Sequence, residues 1–148
     1  MKLKYVLLLT ALLTVGVLVV AAAGASGVTF VGHEKVAAAL SKGGILVSQP
    51  DLIVMGSHRD KPGQVEVHDK ETDVIHMIEG DATFVTGGTA TGLHRTSPTQ
   101  WLGTGIDGGE AHHLVKDDII VVPAGTPHWF KEIHSGAINY SVVKVVKP

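Results

Sequence analysis

The chain has 148 residues, 45% of them hydrophobic and 18% charged, and it contains no cysteine. That composition excludes a disordered chain, and the absence of cysteine excludes disulfides and thiolate metal ligands. A formal charge of −2 with no basic patch excludes nucleic acid as a partner.

Residues 1–25 read as a signal peptide. Lys2 and Lys4 precede an apolar run from Tyr5 to Val20, and small residues follow, with A-x-A sites at Ala21–Ala23 and Ala23–Ala25. The run is short for a membrane span and ends in small residues rather than a basic stop. Cleavage leaves residues 26–148 as a single domain, the expectation for this length. The product would be periplasmic or secreted, free of the membrane, and more negative by the loss of two lysines. Without disulfides, its stability would come from its core, a metal or oligomerisation.

Thr29 to Ser41 is predicted to hold a short helix. Glu34 to Leu40 are good helix formers, and Gly43-Gly44 ends the run. Short apolar runs between Gly, Pro and Asp then predict strands at 45–48, 52–57, 64–68, 74–78, 82–86, 112–115, 119–122, 128–133 and 137–146, the pattern of a β-sandwich or barrel. Residues 87–110 form the longest polar, Gly/Thr-rich stretch and read as a loop, a lid or a rim.

The chemistry concentrates in two segments. In Glu66–Gly80, alternation puts Glu66 and His68 on one face of a strand and Val65 and Val67 on the other. After a turn at 69–72, the returning strand brings Asp73 back beside His68. In Pro123–Phe130, two prolines and Gly125 make a tight turn that aims His128. The two segments are expected to meet and hold one metal ion.

These segments resemble the two motifs of the cupins. The first motif, G-x5-H-x-H-x(3,4)-E-x6-G, is matched by Glu66-x-His68-x4-Asp73-x6-Gly80, with Glu66 for the first His and Asp73 for Glu. The second, G-x5-P-x-G-x2-H-x3-N, is matched by Asp117-x5-Pro123-x-Gly125-x2-His128-x3-Glu132, with Asp117 for Gly and Glu132 for Asn. The resemblance spans about residues 52–146. It implies an all-β cupin jelly roll (a double-stranded β-helix barrel) behind the short helix, with a metal between the motifs. It leaves the reaction open, because one fold hosts many chemistries.

The implied metal set is His68, His128, Glu66 and Asp73. Two imidazoles with one or two carboxylates favour Fe or Mn, with Zn and Cu as alternatives. Asp73, one methylene shorter than Glu, is either a ligand or a hydrogen-bond partner of a ligand. Glu66 has an alternative role as a general base, should burial raise its pKa. Phe130 shares the inward parity of His128 and should wall a substrate pocket, while Trp129 should point out to a rim or a partner. One of His58 and Arg59 should face the interior. His76 reads as surface or subunit interface, and His94, Arg95, His112 and His113 as solvated. The valines at 142, 143, 145 and 146 read as a final edge strand that would pair between the subunits of a homodimer.

The expected function is a metal-dependent oxidoreductase, of dioxygenase or oxidase type, acting on a small organic substrate. The alternatives are a non-redox Mn or Zn lyase, decarboxylase or isomerase, a copper enzyme cleaving polysaccharides oxidatively, and a non-catalytic periplasmic binding protein.

Overall fold

The computed structural model describes residues 27–148, so the expected signal peptide lies outside the described residues. The first element is α1 (His33–Lys42), with Glu34 in its first turn and Lys42 in its last, as the helix dipole favours. It starts later than expected and ends at Gly43, whose N–H bonds the Ala39 carbonyl.

Strands follow: β1 (Gly44–Ser48), β2 (Leu52–Arg59), β3 (Val65–His68), β4 (Glu71–Glu79), β5 (Ala82–Thr86), β6 (Thr89–Thr91), β7 (His94–Ser97), β8 (Gln100–Gly103), β9 (Gly105–Asp107), β10 (Glu110–Leu114), β11 (Ile119–Val122), β12 (His128–Ile133) and β13 (Ile138–Val146). Each strand expected from the apolar runs is present, shifted only at its ends.

The strands form a five-stranded sheet in the order β1-β2-β13-β4-β11, a six-stranded sheet in the order β10-β5-β12-β3-β8-β7 and a two-stranded sheet of β6 and β9. All pairings are antiparallel. The core is built from both sheets: Ile75, Met77, Ile138, Tyr140 and Val142 from one, Phe84 and Phe130 from the other. Phe84, Phe130 and Tyr140 form a chain with ring centroids 4.5 and 4.8 Å apart. Burying a side chain such as Phe84 contributes about 1.5–3 kcal/mol.

Two expectations are overturned. Residues 87–110 are not a loop: they carry β6 to β9 and the start of β10. Their threonines suit strands, but the strands are too short and too polar to show an apolar period. β8 extends the six-stranded sheet beside β3, with Leu102 opposite Glu66 and Gln100 opposite His68. The other correction concerns β13, which is no edge. It lies in the middle of its sheet, between β2 and β4, and its backbone is paired on both sides. The edges of that sheet are β1 and β11.

Candidate metal centre

Two cross-strand pairs face each other across the barrel. In the six-stranded sheet, Glu66 on β3 lies opposite His128 on β12. In the five-stranded sheet, Asp73 on β4 lies opposite Lys144 on β13. His68, two residues beyond Glu66, and Glu71, two before Asp73, share their partners' faces. His68 Nε2 is 3.5 Å from Glu66 and 3.4 Å from Asp73, and its Nδ1 is 3.3 Å from Glu71. His128 Nε2 is 3.7 Å from Asp73, and the two imidazole centroids are 5.1 Å apart. Lys144 Nζ donates to both Asp73 oxygens at 2.9 Å and lies 3.0 Å from His68 Nε2.

The turn before β12 does the aiming. Gly125 holds φ +81°, which an L side chain resists. Its N–H donates to the His68 carbonyl at 2.7 Å, tying the second segment to the first through backbone. Asp117, which stands where the resembled motif has glycine, adopts φ 73°, a conformation that Asp tolerates better than most residues. His128 Nδ1 lies 3.0 Å from the Thr126 carbonyl. A carbonyl only accepts, so the proton sits on Nδ1 and the Nε2 lone pair faces the cluster.

The electrostatics divide the histidines. Burial holds His128 below its ordinary value, against the Thr126 carbonyl and the two nearby carboxylates, so its imidazole is neutral. Burial also works against a charged His68, but bonds to Asp73 and Glu66 outweigh burial and the opposing Lys144, and raise it to about 9. Burial would raise Glu66 and Asp73. The bond to His68, with the charges of His68 and Lys144, overcomes it and leaves both carboxyls lowered. The general-base reading of Glu66 needed a raised carboxyl. The cationic neighbours reverse that direction, which suits a ligand better than a base.

A pH dependence follows. His68 titrates near 6.5 when unfolded and near 9 when folded, so its contribution to stability is full below 6.5 and fades as pH rises toward about 9. In metal-free protein the melting temperature is expected to fall across that window, and His68→Gln should flatten the fall. Calorimetry across the window checks both, and an unchanged slope in the variant would contradict the assignment.

The residues fit a divalent cation. Glu66, His68 and His128 each offer a donor atom within 4.8 Å of the others, and so do His68, Glu71 and Asp73. Glu66, Glu71 and Asp73 outnumber the two cations, Lys144 and protonated His68, leaving negative charge that a divalent ion would offset. His68 Nδ1 is buried without a hydrogen-bond partner, a costly state for a polar atom.

The predicted residues Glu66, His68, Asp73 and His128 are therefore brought together. Glu71 and Lys144 were missed. Glu71 was assigned to the turn, although β4 begins there. Lys144 was legible in principle, since it shares the parity of Tyr140 and Val142, which face the core. Of the pocket candidates, Phe130 and Arg59 line a cavity of about 200 Å³ beside the centre, together with Glu66, Asp73, His128 and Lys144. His58 does not line it; it faces the other side of β2 and pairs with Asn139 at 2.7 Å. Trp129 is not turned outward: it lines the same cavity, and its indole donates to the Gly63 carbonyl at 2.7 Å.

The hairpin carrying His68 and Glu71 is tied down at its tip. The Asp69 N–H donates to the Thr99 carbonyl at 2.8 Å, and the Trp101 indole donates to the Asp69 carboxylate at 3.0 Å. Arg95 stacks 4.0 Å over the Trp101 ring and reaches Asp69 at 3.7 Å. Arg95, expected to be merely solvated, is thus part of this clasp.

No family model and no curated protein matches this sequence. Solved structures do. The chain is similar to BH2720 of Bacillus halodurans, with a TM-score of 0.59 and 15% identity over 83% of this chain and 85% of that one. It is similar to a conserved Klebsiella pneumoniae protein with a double-stranded β-helix domain, with a TM-score of 0.56 and 16% identity over 75% and 86%. It is also similar to the cupin domain of Schizosaccharomyces pombe Cnp3, with a TM-score of 0.53 and 13% identity over 72% and 61%.

Proposed function

Because this chain has the cupin fold, a double-stranded β-helix barrel, we propose that it is a metal-dependent oxidoreductase acting on a small organic substrate. Glu66, His68 and His128 would hold the ion, with Asp73 against both imidazoles. Two imidazoles with carboxylates suit Fe or Mn. When bound, such an ion supplies a Lewis acid and a redox centre.

The chain's own residues shape the rest. Ile75, Phe84 and Phe130 give the cavity an apolar wall. The Thr126 carbonyl fixes the His128 tautomer, and Lys144 orients Asp73. The observation that carries the reading is the His128 ring, buried and neutral, with its Nε2 lone pair turned toward a carboxylate-rich cluster.

Anaerobic reconstitution with Fe(II) or Mn(II), followed by an oxygen-uptake survey of small diols and organic acids, tests it. Metal uptake with oxygen consumption is the expected result. Turnover that persists without oxygen would favour the non-redox lyase or isomerase, and failure to take up any ion would end the metal reading.

A further inference from the structure

We infer that the inner cavity takes a small organic anion, its charged end held by Arg59 and its body lying along the apolar wall toward Glu66 and His128. The inference rests on the proposed reading only in taking this cavity as the substrate chamber; it does not depend on which ion is bound.

Arg59 is the last residue of β2 and shares its inward face with Met55 and Ser57, which also line the cavity. A guanidinium is permanently charged, so a half-buried one needs a partner. Among the described residues it has none: no carboxylate lies within 4.0 Å, and its Nε is buried without a hydrogen bond. The acids of the cavity, Glu66 and Asp73, are engaged by His68, and Asp73 by Lys144 as well.

The guanidinium is nonetheless held in place. A Cβ on Gly63 would lie 2.6 Å from Arg59 Nη1, so the group rests on bare backbone. That backbone is pinned, because the Gly63 N–H donates to the Phe130 carbonyl at 3.0 Å and its carbonyl accepts from Trp129 at 2.7 Å. On another side the guanidinium lies 5.6 Å from the Phe130 ring centroid. A cation positioned in this way and left unpaired is complementary to a carboxylate, which it can bind through two parallel hydrogen bonds.

Volume and charge set the class further. A cavity of about 200 Å³ has room for a small acid. In the metal-free centre the carboxylates repel an anionic head and turn it toward Arg59. The uncharged end then points at Glu66 and His128.

The test is calorimetry with straight-chain carboxylates from acetate to hexanoate and their primary amides, on metal-free and Mn(II)-loaded protein. The acids should bind about tenfold or more tightly than the matched amides. Arg59→Gln should abolish that preference and Arg59→Lys retain part of it, while both keep native Mn(II) affinity. On metal-free protein, equal binding of acids and amides to the native chain, no binding of any acid, or an acid preference surviving in Arg59→Gln would overturn the inference. Because the acid–amide comparison is made on the unaltered chain, a misfolded variant does not decide it. Failure to bind Mn(II) with the acid preference intact would count against the metal reading alone.

Discussion

His128→Ala is expected to weaken Mn(II) binding at least about 100-fold, the upper end of what losing a mere partner of a ligand costs. His128 supplies a neutral nitrogen that needs no deprotonation, because burial already disfavours its charged form. Its orientation is fixed by the Thr126 carbonyl at one end and the β12–β3 pairing at the other. No neighbouring side chain can replace it: Lys144 offers a cation, and the remaining donors are carboxylates or the single ring of His68. Isothermal titration with Mn(II) reads the loss. His76→Gln, on the opposite face of β4, should leave binding at the native level. Native affinity in His128→Ala would place the ion elsewhere.

Lys144→Met should act in the opposite direction on binding, and should also weaken folding. The ammonium lies against Asp73 and His68, where an ion would have to be accommodated. At 4 Å and an effective dielectric constant of about 20, two unit charges repel by about 4 kcal/mol. Lys144 can relax away, which returns part of this, so a gain of about tenfold or more in metal affinity is expected. Without metal, the same change leaves buried Asp73 facing only histidines. Breaking a buried pair costs at most about 3–5 kcal/mol, less here because cationic His68 stays beside Asp73, so the metal-free melting temperature should drop. Added Mn(II) should restore it further than it raises the native protein. A variant with native stability and weaker metal binding would show that Lys144 supports the centre rather than competing within it.

The two motifs were readable because their chemistry is local. Pro123, Gly125 and Pro127 fix a turn, and alternation fixes the faces of Glu66, His68 and Asp73. What alternation cannot supply is which strands become neighbours. Lys144 reaches the centre only because β13 lies beside β4, a pairing set by packing rather than by any feature of 137–146. The same ignorance made β13 look like an edge. Glu71 was lost to a turn placed two residues too long. The direction of the Glu66 shift required knowing that His68, His128 and Lys144 converge on it, which no spacing within 66–80 reveals.

The clasp of Trp101 and Arg95 on Asp69 bears on how fast an ion would come and go. Its exposed ion pair adds little to overall stability. It does immobilise the hairpin tip between His68 and Glu71, so the donor atoms lose their freedom when the chain folds and not when an ion arrives. A centre ordered in advance has little entropy left to surrender on binding. It would also have little slack with which to hand an ion out step by step, which would slow release. Residence time would then be governed by residues that never touch the ion.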